Sequence, residues 1–256
     1  MEPRWTSKFE IKPGKWVFVP TTETVESGQD IKSDIQGRWK PPSYFFHLQK
    51  GGHLAALKAH MHHASFIHLD IQDFFGSVNR TRVTRCLKGL YSYSDARDIA
   101  NASTVIRPDK TERRFILPYG FVQSMILAAL CFHKSALGNY IKHLSRCKDI
   151  AVSVYVDDIV ISMATDASAE DILRNAEAAA DKSGFRLNPT KQEGPAPSIS
   201  AFNIELSQNS MVVTAGRQRE FLEALLASTN EHQREGILGY IGSVNAAQAR
   251  QLASLI

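Results

Sequence analysis

The stretch Val152-Ser-Val-Tyr-Val-Asp-Asp-Ile-Val-Ile161 decides how this chain is read, because two adjacent carboxylates interrupt an otherwise apolar, β-branched run. Val152–Val156 and Ile159–Met163 have strand composition, and Asp157-Asp158 stands where a hairpin would turn. Taken alone, the pair also fits an ordinary exposed turn, since Asp is at home there. Upstream, Ser65-Phe-Ile-His-Leu-Asp70 is a second apolar strand that ends on an acid. Carboxylates converging at strand ends repel and raise one another's pKa unless a cation holds them. Mg²⁺ suits such a group, because it takes hard oxygen ligands from a few carboxylates plus substrate phosphates. Paired ions can activate a hydroxyl and stabilise a leaving pyrophosphate during in-line displacement. The acids lie far apart in sequence, so only the fold can assemble them.

Outward from this core the chain reads as continuous globular sequence without repeats, low-complexity tracts or a long linker. Lys15–Pro20 predicts a short strand stopped by proline, and Tyr44–Leu48 another. A helix is expected at His53–His62 after Gly51-Gly52, and one over Asn79–Leu90 with Asn79 as cap. Phe115–Leu117 predicts a short strand, after which Ser124 would cap one long helix to about Leu144. Ala169–Lys182 is Ala-rich and closed by Ser183-Gly184. Ile199–Leu206 and Met211–Thr214 predict a second hairpin around Gln208-Asn209-Ser210, and helices follow from about Arg217. The mixture implies α+β with a central antiparallel sheet packed on helices.

Composition sets broad limits. The chain has 256 residues, a hydrophobic fraction of 43% and a net charge of +4, enough for one large domain or two joined lobes. No apolar run approaches a membrane span and the charged N-terminus has no secretory core, so a cytoplasmic protein without membrane contact is expected. Cys86, Cys131 and Cys147 are widely spaced and suggest neither disulfide framework nor metal site. Lys8, Lys12 and Lys15, and the cluster Arg107, Lys110, Arg113 and Arg114, lean weakly toward a polyanionic partner. His60, His62 and His63 do not share a helix face and lack zinc-like co-ligands, while His68 reads as a packed core histidine.

Five segments, in order, resemble the bacterial reverse transcriptases. Leu69-Asp-Ile-Gln-Asp-Phe-Phe75 resembles their first palm motif, Leu117-Pro-Tyr-Gly-Phe-Val-Gln-Ser124 the template-and-nucleotide motif, and Tyr155-Val-Asp-Asp158 the Tyr-x-Asp-Asp box. Gly184-Phe-Arg-Leu-Asn-Pro-Thr-Lys191 resembles the next motif and Ser200-Ala-Phe-Asn-Ile204 the primer grip. The set covers roughly residues 15–230. The Phe-Val-Gln-Ser form is similar to divergent defence-associated enzymes of the abortive-infection type. Tyr119, Met125, Phe202-Asn203 and His53 depart from residues common in relatives (Gln, Pro, Leu-Gly and Arg respectively).

The resemblance implies a right-hand polymerase fold with fingers, palm and a short or partial helical thumb. It divides the chain into 1–64 (N-terminal extension and part of the fingers), 65–215 (palm, with an inserted fingers segment at about 79–118) and 216–256 (start of the thumb). It implies an RNA-directed DNA polymerase working by two-metal phosphoryl transfer in antiphage defence. Asp70, Asp157 and Asp158, with the Ile71 carbonyl, would bind two Mg²⁺ ions, or Mn²⁺ in their place, and Lys191 would neutralise or protonate pyrophosphate. Phe75 would exclude a ribose 2′-hydroxyl; Tyr119, Gly120, Gln123, Ser124, Arg113 and Arg114 would meet the dNTP or template. Core packing, an ordinary turn and solvated cations are the plain alternatives for these residues. RNA template, DNA product and dNTPs are the implied partners, with a noncoding RNA, an accessory protein or self-association open. The length leaves no room for a maturase, endonuclease or RNase H region. Template-independent polymerisation, an RNA-dependent RNA polymerase (which the bulk of Phe75 argues against) and an idle RNA-binding scaffold are the alternatives.

Overall fold

In a computed structural model, residues 4–108, 113–165 and 168–256 are described. The chain opens with an antiparallel hairpin, β1 (Trp5–Lys12) and β2 (Lys15–Pro20), of which only the second was expected. Thr21 then caps α1 (Thr22–Arg38), its side chain accepting from the Thr24 N–H. The predicted strand at 44–48 is not formed: Phe45 N–H bonds back to Pro42 O, and Phe46–Leu48 is one 3₁₀ turn. Phe45 is fully buried among aromatic rings, so its apolar character serves packing, and the segment contributes only a single bridge to Val154. The following helix, α2 (Gly52–Lys58), is shorter than predicted.

Strand β3 (Ser65–Gln72) is buried at every position but the last. It leads through a short α3 (Phe74–Ser77) into α4 (Arg80–Leu87), where Asn79 accepts from Arg82 N–H as the sequence predicts. Helix α5 (Tyr93–Ser103), capped by Ser92, precedes a small hairpin of β4 (Val105–Ile106) and β5 (Phe115–Ile116). The long helix expected from Ser124 is two helices, α6 (Ser124–His133) and α7 (Ala136–Leu144). Ser135 interrupts it because its hydroxyl accepts from Gly138 N–H at 3.0 Å and starts a new N-terminus. Ser124 itself does not cap: its hydroxyl is buried without a partner among the described residues.

The central sheet is completed by β6 (Ile150–Tyr155) and β7 (Asp158–Met163), then α8 (Ala169–Ser183), β8 (Arg186–Leu187) and β9 (Glu193–Ala196). The strand order is β6-β7-β3-β8, with β9 also on β3, and every pairing is antiparallel. Helices α6, α7 and α8 pack on it through a core that includes Leu127, Leu130, Ile141 and Ala176. The predicted strand over 199–206 is split into β10 (Ser198–Ala201) and β11 (Ile204–Ser207), with β12 (Ser210–Val213) third. Phe202 and Asn203 both have positive φ (57° and 61°), turning the chain where composition alone suggested a continuous run. Helices α9 (Ala215–Ala227), α10 (Glu231–Val244) and α11 (Ala246–Ala253) close the chain around a small core of Val213, Leu225, Ile241 and Leu252. Among the described residues no helix is long and apolar enough to cross a membrane.

Candidate active site

The register of two strands brings the acids together. Strand β3 pairs with β7 from Ser65↔Met163 to Asp70↔Asp158, so these carboxylates are direct cross-strand neighbours. Such pairs place Cβ atoms about 4.5–5.5 Å apart. Asp157 occupies the β6–β7 turn, and its carbonyl accepts from Ile71 N–H at 2.9 Å. The preceding Val156 has φ +60°, a costly conformation for a β-branched residue. His47 supports that turn: its Nδ1 lies 3.0 Å from Val156 N–H and accepts in the Nε2–H tautomer. Burial pushes the His47 pKa down to about 4, so the ring is neutral and able to accept.

Cationic and imidazole groups already attend the acids. Asp70, only 3% exposed, has Oδ2 2.7 Å from Lys191 Nζ, and this bond is the main cause that raises the Lys191 pKa. Asp158 Oδ1 lies 2.8 Å from His68 Nε2. Among the described residues Asp157 has no such partner: burial first, then the Asp158 charge, pushes its pKa up to about 6, with Asp70 adding and Lys15 opposing. Among the described residues no three His, Cys, Asp or Glu side chains form a ready-made metal cage. The donors nonetheless suit a hard divalent ion in number and chemistry, three carboxylates and a backbone carbonyl gathered at one end of the sheet.

Beside the acids lies an aromatic and backbone surface. Phe75 is buried and meets Tyr119 edge to face at 4.7 Å between ring centroids. Lys15 Nζ sits 4.5 Å from the centre of the Tyr119 ring, so the β1–β2 hairpin reaches the site. Burial, then the charge of Asp157, raises the Tyr119 pKa. Phe18 N–H donates to Tyr119 O at 3.0 Å, and Gly120 has φ +105° with its Cα facing the Phe18 carbonyl. A side chain there would strike that carbonyl, and only glycine takes this φ without strain. Arg107 pairs with Asp73 at 2.5 Å.

Other predicted residues lie apart from this surface. Gln123 is buried with Nε2 toward Ser103 Oγ (3.4 Å) and Oε1 against Gly28 of α1. Ser124 is buried at the start of α6. Arg113 and Arg114 are exposed on the β4–β5 hairpin, Arg113 5.5 Å from the Phe115 ring centre. Lys110 lies outside the described residues.

A family model described as "Reverse transcriptase (RNA-dependent DNA polymerase)" matches residues 12–210. The chain belongs to the reverse transcriptase family. No curated protein matches it. Among solved structures it is similar to a foamy viral protease-reverse transcriptase in complex with RNA/DNA hybrid, at 14% identity and TM-score 0.50, covering 99% of this chain and 35% of that one. A second foamy viral protease-reverse transcriptase, in complex with double-stranded DNA, gives 15% identity and TM-score 0.49 over 91% of this chain and 34% of that one. The telomerase of Candida albicans, in complex with a fragment of telomeric RNA, gives 10% and 0.47, covering 93% and 44%. This reverse transcriptase chain thus spans a third to less than half the length of those proteins.

Two features of the reverse transcriptase site were missed in the sequence. His68, expected to be core, is buried and also touches Asp158. The signal was available, since His68 and Asp70 are two apart on one strand and share a face. Lys15 carried no local signal, because its approach to Tyr119 depends on how the hairpin docks. His53 bridges α2 to Tyr240 Oη at 3.2 Å and stacks near Phe202 and Tyr155.

Proposed function

We propose that this chain is an RNA-directed DNA polymerase adding dNTPs to a 3′-hydroxyl. The observation that carries the reading is Asp70 directly opposite Asp158 across β3–β7, with Asp157 in the adjoining turn. Asp70, Asp157, Asp158 and the Ile71 carbonyl would hold two Mg²⁺ ions, with Mn²⁺ as substitute. Bound there, the metals would supply activation of the attacking hydroxyl and stabilisation of the leaving pyrophosphate. Lys191, beside Asp70, offers a proton or a positive charge at the same place. Phe75, fixed edge-on by Tyr119, presents bulk where a ribose 2′-hydroxyl would need room. Gly120 lets the backbone approach the base pair, Gln123 and Ser124 brace the turn from behind, and Arg113 and Arg114 offer phosphate contacts. Residues 1–64, 65–215 and 216–256 serve as fingers, palm and thumb in this reading, with about 79–118 belonging to the fingers.

The test is metal-dependent incorporation of labelled dNTPs and rNTPs on a primed RNA template, beside Asp157→Asn/Asp158→Asn. Incorporation of dNTPs lost with EDTA and in the variant supports the assignment. Binding of RNA without incorporation favours an idle scaffold, and untemplated products favour a template-independent enzyme. Phe75→Ala should relax sugar selectivity by roughly 10- to 100-fold, a pocket-shape effect of about 1–3 kcal/mol. The antiphage role rests on the Phe121-Val-Gln-Ser124 form. A cytoplasmic setting and a noncoding RNA, accessory protein or self-association as partner belong to the same reading. Plaque counts on cells with and without the intact Asp157-Asp158 pair would decide it.

A further inference from the structure

Helices α4 and α5 enclose an open cleft of about 370 Å³ whose lining carries Arg80, Arg85, Lys88 and Arg97. No acidic residue lines it among the described residues; Asp95 and Asp98 belong to α5 but lie outside the lining. Arg85, Lys88 and Arg97 are exposed and make no ion pair among the described residues. Arg82, on the same helix, behaves differently: it donates to Ser183 O and covers the Phe185 ring, which ties α4 to α8. The unpaired cations are therefore a separate population from the structural one.

The cleft has a half-buried end at Arg80 and an exposed end at Tyr93. Arg80 is held by Thr104 Oγ1 at 2.8 Å and by the Phe115 ring 3.4 Å beneath its guanidinium. Arg4 and Arg113 stand near enough that, after burial, their like charges also lower the Arg80 pKa. Such crowding, with no carboxylate in the lining among the described residues, leaves positive potential for an anion to neutralise. Thr81 and Asn101 add neutral polar groups to the lining, while the Thr84 hydroxyl donates to Arg80 O. At the mouth stands Tyr93, 59% exposed, with Lys88 Nζ 5.6 Å from its ring centre. Cations that track a backbone beside an exposed ring able to stack a base form the recognition set for single-stranded nucleic acid. Inorganic anions would need only the charges.

We propose that the α4–α5 cleft is a docking site for a single-stranded nucleic-acid segment, separate from the catalytic carboxylates. Neither the three carboxylates nor Phe75 nor Tyr119 lines the cleft, and Val83, Cys86 and Leu87 form the buried face of α4. The site does not depend on the polymerase reading, since an inactive protein would bind there equally.

The test is fluorescence anisotropy with labelled single-stranded RNA and DNA over a salt series, with inorganic polyphosphate as a parallel ligand. Arg85→Ala/Lys88→Ala/Arg97→Ala should weaken oligonucleotide binding at least about 10-fold and flatten the log–log salt slope by about 2, three contacts at about 0.7 each. Tyr93→Ala should weaken oligonucleotide binding about 5-fold or more while leaving polyphosphate unchanged. These residues are exposed, and unaltered thermal midpoints would show that the variants fold. A triple variant that binds like the parent at every salt overturns the proposal. So does a silent Tyr93→Ala beside equal losses for oligonucleotide and polyphosphate, which would make the cleft a general polyanion surface. Binding is read without divalent metal or dNTP, so an absence of polymerase activity leaves this outcome unaffected.

Discussion

The strand-end acids and the α4–α5 cations are both concentrations of like charge, and they are held in opposite ways. The acids sit at one end of the sheet, Asp70 at 3% exposure with Asp157 and Asp158 half-buried, and are assembled by pairing between β3 and the β6–β7 hairpin. The cations project into solvent from two helices adjacent in sequence. Burial magnifies each charge, so the acids draw Lys191 and His68 within hydrogen-bond reach and Asp157 keeps a pKa of about 6. Solvent screens the cations, and Arg85, Lys88 and Arg97 stand without an ion pair among the described residues. Function concentrated in a few buried groups should fail abruptly on mutation; function spread over exposed groups should fade by steps.

The sharpest way to break this contrast is a conservative change among the acids. Asp157→Asn should lower dNTP incorporation by about 10³-fold or more, several kcal/mol of transition-state charge stabilisation. It should also cancel a rise in thermal midpoint on adding Mg²⁺ to the parent protein, a measurement independent of catalysis. A variant that kept its rate would place the chemistry elsewhere.

Gly120→Ala comes next. A methyl group at φ +105° meets the Phe18 carbonyl, so a loss of about 2–4 kcal/mol is expected in denaturant unfolding, through the joint between hairpin and turn. An unchanged midpoint would mean that the hairpin does not dock there in solution.

Behind the sheet, His60 is wholly buried between Ser153 and Ser162, and burial lowers its pKa to about 3. The unfolded chain binds that proton near pH 6.5, so His60 leaves stability intact above 6.5 and erodes it as pH falls toward 3. Urea midpoints should decline over that window, by an amount on the order of 5 kcal/mol from this residue if the whole window is crossed. His60→Gln should flatten that part of the decline; an identical profile in the variant would assign the acid sensitivity elsewhere. The smallest effect belongs to the exposed region: Arg85→Ala alone should weaken single-strand binding only about two- to fivefold, one phosphate contact among several.

Local sequence carried much of the fold. The caps at Asn79 and Gly184, the β6–β7 hairpin and β3 follow from residue type and spacing that act over a few positions. Where the reading erred, a distant neighbour intervened. Phe45 looks like strand but is drawn into an aromatic cluster with Phe132 and Trp39. The helix after Ser124 breaks at Ser135, whose capping bond to Gly138 competes with continuation. Helices α1 and α5 went unread, because polar surface dominates their composition and burial is confined to a few small residues or Ile35.

The sequence by itself determined which residue types stand at the strand ends, since acids in an apolar run declare themselves wherever the strand lies. Only the tertiary structure decided that Asp70 faces Asp158, that His68 and Lys191 reach them, and that Lys15 arrives from the far hairpin. Strand register and hairpin docking are cooperative properties of the whole core, and no short window of residues contains them.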